Sequence, residues 1–132
     1  MRDRLIRFSP WLLVAWTVFL WLSRLRNVLA DDDLTTTGRI VRVLVVAAFV
    51  SLAAFATVGM LRKQVLPLVV LTIWTIGYWL VRGTGILIGD WSISFKIVHT
   101  ALMITSLGLA ALVLRSGRLR SSVDAQAPVP QP

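Results

Sequence analysis

The sequence predicts an all-α integral membrane protein, a four-transmembrane-helix bundle with short loops and a disordered C-terminal tail. Of its 132 residues, 57% are hydrophobic and only 15% are charged, whereas soluble domains contain about 25% charged residues. The chain also contains four long apolar segments, and a helix needs about 20 residues to cross a bilayer core of about 30 Å. We therefore expect residues 1–115 to form one transmembrane domain.

The first helix is predicted over residues 9–30, with Pro10 in its first turn, where the missing N–H of proline costs nothing. A helix that ended just before Arg24 would reach only about 22 Å at 1.5 Å per residue. We therefore expect it to continue through Arg24 and Arg26, whose long side chains can reach the headgroups. The aspartates at 31–33 should end it, because acidic groups are unfavourable at a helix C-terminus.

The N-terminus also resembles a signal peptide, with a basic start at 1–7, an apolar run and a small-residue site at 28–30. Arg24 and Arg26 lie where a cleavage region is normally neutral. This favours a first transmembrane helix over a cleaved signal.

The other three helices are predicted over residues 39–61, 65–82 and 94–114, with Pro67 in the first turn of the third. The Asp and Thr residues at 31–37 are expected to cap the second helix, because their side-chain oxygens accept hydrogen bonds from the first N–H groups.

The third loop and the C-terminal tail have distinctive compositions. The loop contains Gly83, Gly85 and Gly89, which are expected to let the chain turn tightly. Residues 116–132 are polar and proline-rich, so they contain too little apolar surface to fold. They are predicted to form a disordered cytoplasmic tail.

The basic residues predict how the protein faces. With four spans, both termini share a side with loop 62–64, and that side has eight basic residues against six on the other. The eight are Arg2, Arg4, Arg7, Arg62, Lys63, Arg115, Arg118 and Arg120, and the six are Arg24, Arg26, Arg39, Arg42, Arg82 and Lys96. The positive-inside rule then predicts cytoplasmic N- and C-termini. The excess of Arg over Lys, with abundant Ala, Val and Leu, is typical of a GC-rich bacterium, so a bacterial plasma membrane is expected.

The first and third loops lie on the same side whichever way the protein inserts, because each crossing reverses the chain. The polar residues near these loops are therefore expected to converge at one mouth of the bundle and to form a ligand-binding site. The candidate residues are Arg24, Arg26, Asn27, Arg82, Asp90, Lys96 and His99. Residues 24–37 also have a purely structural explanation, in which Arg24 and Arg26 anchor the end of the first helix and the Asp and Thr residues at 31–37 cap the second. The structural alternative for His99 is a packing hydrogen bond within the bundle.

Two stripes of side chains support this convergence. A spacing of alternately three and four residues keeps side chains on one face of a helix, and polar groups in a membrane face the bundle interior. The stripe on helix four is Lys96, His99, Met103, Ser106 and Ala110, and the stripe on helix three is Thr72, Thr75, Trp79 and Arg82. Arg82 and His99 are therefore predicted at similar depth.

Several classes of function are disfavoured. The chain has no cysteine and one histidine, so an intrachain thiolate or His-cluster metal site is excluded. No nucleophile–His–acid set is present, and we predict neither an enzyme nor a cofactor. The net charge of +8 is attributed to anionic headgroups rather than nucleic acid.

The leading functional hypothesis is a non-catalytic accessory or interaction subunit of a membrane complex or homo-oligomer. Its expected partners are membrane lipids and either further copies of the chain or a larger membrane protein, with no nucleic acid. The first alternative is a small oligomeric transporter or channel with an Arg/Lys/His-lined mouth for an anion or lipid headgroup. The second is a haem-binding membrane protein that uses His99 from two protomers.

Overall fold

The computed structural model describes residues 1–116, and four α-helices make up almost all of this part of the chain. They are α1 (Arg2–Ala30), α2 (Thr36–Leu61), α3 (Leu66–Ile88) and α4 (Ile93–Arg115). All four are long and apolar enough to cross a membrane. The predicted all-α bundle of four helices of membrane-spanning length is confirmed, while most of the predicted tail, 117–132, lies outside the described residues.

The helices form a ring in chain order. α1 packs against α2, α2 against α3, α3 against α4, and α4 back against α1. Because the connections are short, consecutive helices run antiparallel. The first and third loops therefore lie at one end of the bundle, and the termini lie at the other with the second loop.

The interior has an aliphatic half and an aromatic half. The aliphatic cluster, towards the termini, consists of Leu13, Val14, Ala53, Ala56, Met60, Leu68, Leu71 and Val113. Towards the first and third loops, Trp21 stacks on Phe49, with ring centroids 4.0 Å apart and planes 15° apart. Tyr78 packs edge-on against both rings, at 5.2 Å from Trp21 and 5.0 Å from Phe49. This aromatic cluster fills the interior of the half of the bundle that lies towards the first and third loops.

The predicted polar stripes face the interior over part of their length, whereas Arg82 is exposed and Lys96, His99 and Met103 are half-buried. Thr72, Thr75 and Trp79 are buried on α3, and Ser106 and Ala110 are buried on α4. The hydroxyl of Thr72 donates to the Leu68 carbonyl at 2.8 Å, which satisfies it within its own helix. The Nε1–H of Trp16 donates to Ser106 Oγ at 2.9 Å and links α1 to α4. A deep tryptophan thus bonds to a stripe hydroxyl across the bundle.

The start of α1 differs from the prediction. The helix begins at Arg2, so Pro10 lies inside it and not in its first turn. Proline has no N–H, which leaves the carbonyl four residues earlier, on Ile6, without its usual donor. The hydroxyl of Ser9 donates to that carbonyl at 2.8 Å, and Ser9 is fully buried. A neighbouring serine thus replaces the lost bond and lets the helix continue through the proline.

The first two loops follow local capping rules. α1 ends at Ala30, as predicted, and Thr35 caps α2 by accepting the N–H of Gly38 at 3.1 Å. α3 has Pro67 in its first turn, also as predicted.

The third loop is shorter than predicted, because α3 continues to Ile88, past the expected end at residue 82. Gly83 and Gly85 are therefore helical and do not form the turn. A Cβ at Gly83 would overlap the Sδ of Met103 on α4, so this glycine lets the two helices approach closely. Gly89 ends α3, and its N–H donates to the Gly85 carbonyl at 3.1 Å.

Candidate functional site

Two adjoining cavities open at the loop end of the bundle. The outer one, here called the mouth pocket, has a volume of about 400 Å³. Its lining residues are Arg24, Asn27, Val28, Asp31, Arg42, Arg82, Trp91, Phe95 and His99. The inner one, here called the inner cavity, has a volume of about 270 Å³. Its lining residues are Phe19, Leu20, Trp21, Ser23, Arg24, Asn27, Tyr78, Trp79, Arg82, Val98, His99 and Leu102.

Four of the seven predicted site residues form the wall that the two cavities share. Arg24 and Asn27 come from α1, Arg82 from α3 and His99 from α4. Three helices therefore bring these side chains together, although the sequence separates them by more than half the described chain.

The other three predicted residues lie outside this wall. Arg26, Asp90 and Lys96 line neither cavity. Arg26 is exposed on α1, because two residues after Arg24 the helix has turned by more than half a revolution. Asp90 is exposed in the third loop, after the end of α3.

Arg42, Trp91 and Phe95 line the mouth pocket without having been predicted. Arg42 lies on α2, the helix that begins at the same end of the bundle as the first loop. The sequence places the first and third loops on one side of the membrane, and the beginning of α2 lies on that side too. The same argument could therefore have identified Arg42 as a site residue.

The mouth pocket has an excess of positive charge. Its lining includes three guanidinium groups, from Arg24, Arg42 and Arg82, and one carboxylate, from Asp31. Within residues 1–116, the ion pair at this site joins Arg42 Nη1 and Asp31 Oδ2 at 3.9 Å. The backbone carbonyl of Asp31 also accepts a bond from Arg39 Nη2 at 2.8 Å. The arginine charges therefore exceed the carboxylate charge by two.

Aromatic contacts position the basic side chains. The guanidinium carbon of Arg24 lies 6.0 Å from the ring centroid of Trp21, within the range of a cation–π contact. Phe95 of α4 stacks on Trp91 of the third loop, with ring centroids 4.8 Å apart. The ring centroid of His99 lies 3.9 Å from that of Phe95.

The hydrogen bond of His99 fixes the roles of its two nitrogens. Its Nδ1 lies 2.9 Å from the carbonyl oxygen of Phe95. A carbonyl can only accept, so Nδ1–H is the donor. Nε2 is then the nitrogen left for a ligand, as an acceptor when the ring is neutral and as a donor when it is charged.

No protein-family model, no curated protein and no solved structure matches this chain. Within residues 1–116, no group of three or more His, Cys, Asp or Glu side chains is arranged to hold a metal ion. The chemistry of the site itself therefore carries the information about function.

Proposed function

We propose that this chain is a small non-catalytic membrane protein that binds an anionic ligand in the mouth pocket. The observation behind this proposal is the convergence of Arg24, Arg42 and Arg82, from three different helices, on one pocket with a single carboxylate. Guanidinium groups present planar arrays of N–H donors that match phosphate and carboxylate oxygens. Such contacts are stronger beside a bundle interior than in bulk water, because the local dielectric constant is lower.

The packing below the pocket favours binding over passage through the bundle. Leu13, Leu71 and Val113, from three helices, have no exposed surface and belong to the aliphatic cluster towards the termini. These side chains fill the interior beyond the aromatic cluster. Transport of the ligand would therefore need a path between protomers or a rearrangement of this core.

The proposal is tested with inorganic phosphate and purified, delipidated protein. We expect Arg24→Gln to weaken phosphate binding about tenfold or more, since a hydrogen bond to a charged group contributes about 1.5–3 kcal/mol. Isothermal titration calorimetry gives the affinity. The change in intrinsic tryptophan fluorescence, to which Trp21 and Trp91 beside the cavities contribute, gives a second readout.

Arg26→Gln is the matched control for this variant. It removes the same charge from the same helix, two residues away, but Arg26 lines neither cavity. We expect it to bind phosphate like the unmodified protein. An equal loss in the two variants, or no phosphate binding by the unmodified protein, would contradict the proposal.

We also propose that the protein lies in a bacterial plasma membrane with both termini cytoplasmic. The distribution of basic residues, eight on the terminal side against six on the other, supports this orientation through the positive-inside rule. The mouth pocket then opens on the side away from the cytoplasm.

An accessory role, in contact with further copies or with a larger membrane protein, is a second candidate. It is favoured by a groove on the outer surface of α3, lined among others by Ile73, Trp74, Gly77, Val81 and Gly85. A Cβ at Gly77 or Gly85 would meet no atom within 4 Å, and small residues let a second helix approach closely. Native mass spectrometry after mild extraction distinguishes a second copy from an unrelated partner by mass.

The haem hypothesis stays a prediction. Purified protein that shows no Soret absorbance would contradict the pairing of His99 from two protomers around one haem.

A further inference from the structure

The two cavities change in chemical character from the mouth inwards. Apart from the shared wall and Ser23, the lining of the inner cavity is aliphatic and aromatic. These residues are Phe19, Leu20, Trp21, Tyr78, Trp79, Val98 and Leu102. A ligand that fills both cavities would therefore have a charged end and an apolar end.

The inner cavity also borders the surface that faces the lipid. Phe19 on α1 is 64% exposed and Val98 on α4 is 55% exposed, although both line the cavity. Trp79 of α3, on the inner side of the cavity, is only 4% exposed. The cavity thus lies between α1 and α4 with an inner wall from α3, and its outer edge meets the bilayer.

In a bilayer, the hydrocarbon chains of the lipids are the apolar groups next to such an opening. Such a chain can move sideways from the bilayer into the cavity without crossing a polar region. Moving a lipid tail from the bilayer into the cavity gains little hydrophobic free energy, because the bilayer core is as apolar as the side chains that line the cavity. The binding free energy then comes mainly from the basic mouth pocket, and the inner cavity selects for a ligand that carries a hydrocarbon chain.

We propose that the anionic ligand of the mouth pocket is a phosphate-bearing anionic lipid with one hydrocarbon chain in the inner cavity. This inference rests on the proposed function, because it assigns the lipid phosphate to Arg24, Arg42 and Arg82. It adds that the inner cavity distinguishes a lipid from free phosphate. Each of the three arginines lies about six residues from the loop end of its helix, a depth from which a long basic side chain can extend to anionic headgroups.

The test uses two probes on the full chain. Retention of phosphatidylglycerol is measured by native mass spectrometry after extraction from vesicles of equal parts phosphatidylglycerol and phosphatidylcholine. Binding of inorganic phosphate is measured by calorimetry on delipidated protein. Val98→Trp fills the inner cavity from its open edge, and we expect it to lower phosphatidylglycerol retention at least fivefold while phosphate affinity changes less than twofold.

Ile97→Trp is the matched control, because Ile97 is the preceding residue on α4, is 63% exposed and lines neither cavity. It should retain lipid like the unmodified protein. Leu102→Trp fills the same cavity one turn further from the mouth and should repeat the effect of Val98→Trp.

The outcomes separate the two proposals. Unchanged lipid retention in both Val98→Trp and Leu102→Trp would overturn the lipid assignment, while phosphate binding would leave the proposed function standing. Loss of both phosphate binding and lipid retention in the two variants would also overturn the lipid assignment. A cavity that holds only the hydrocarbon chain would not affect the binding of free phosphate. No phosphate binding by the unmodified protein would contradict the proposed function itself.

Discussion

At the scale of single residues, Lys63 offers a direct test of backbone strain. Its φ of 57° lies in the left-handed region, which costs a residue with a Cβ about 1–2 kcal/mol relative to glycine. The conformation ends α2 in a Schellman motif: the Gln64 N–H donates to the Gly59 carbonyl at 2.8 Å, and the Lys63 N–H to the Met60 carbonyl at 3.2 Å. We expect Lys63→Gly to raise the free energy of unfolding by about 1 kcal/mol, measured by denaturant titration in detergent.

Arg62→Gly is the control for this prediction. Arg62 is the adjacent exposed basic residue, but its φ of −87° suits any residue. Its replacement removes the same charge without relieving strain, and it should lower stability through the extra backbone freedom of glycine in the unfolded chain. Equal stabilisation by the two variants would point to charge rather than backbone conformation.

The residue scale also shows where local rules succeed and where they fail. Thr35 and Pro67 have the roles that the sequence predicts, because an N-cap and a first-turn proline depend on the few residues beside them. Pro10 and Gly83 do not. The hydroxyl of Ser9 replaces the hydrogen bond that Pro10 cannot make, within the same helix. The need for glycine at position 83 comes from Met103, which is twenty residues away on another helix.

At the scale of helices, the contact between α2 and α3 depends on Gly59. A Cβ built at Gly59 would lie 2.7 Å from Cγ of Pro67, a ring that cannot rotate away. We expect Gly59→Ala to lower the free energy of unfolding by about 1–3 kcal/mol, the usual cost of overpacking. Gly108→Ala, inside α4, is the matched control, because nothing lies within 4 Å of its added Cβ. It should leave stability unchanged or raise it through the better helix propensity of alanine.

Comparison of these two variants in one denaturant series removes the contribution of propensity, since both add the same methyl group inside a helix. A Gly59→Ala variant as stable as Gly108→Ala would show that the contact between α2 and α3 adjusts without cost.

The sequence predicts the presence of a helix better than the residue at which it ends. The existence of all four helices follows from apolar length, whereas the end of α3 at Ile88 does not. Glycines within a membrane helix look like loop residues when the neighbouring helix is unknown.

At the scale of the whole molecule, helix count alone predicts that the loop-end polar residues share one side. It does not predict which of them meet. Arg24 and Arg26 are equivalent in the sequence, but only Arg24 faces the cavities. That choice depends on the rotation of α1 about its axis and on the order of helices in the ring, which are determined by packing between distant segments and not by the local pattern.

The orientation of the bundle determines which compartment the mouth pocket faces. The chain has no cysteine, so a single introduced cysteine reports the position of one loop. Asp90→Cys lies in the third loop beside the mouth pocket, and Gln64→Cys lies in the second loop at the other end, both exposed. With cytoplasmic termini, a membrane-impermeant maleimide should label Asp90→Cys in intact cells and Gln64→Cys only after permeabilisation.

The reverse labelling pattern would place the termini outside and the mouth pocket on the cytoplasmic side. The positive-inside difference of eight against six basic residues would then be outweighed by other features of insertion. The pocket chemistry would be the same in either orientation, but the lipid leaflet that supplies the ligand would change. Labelling therefore determines the leaflet in which a phosphate-bearing lipid must be sought.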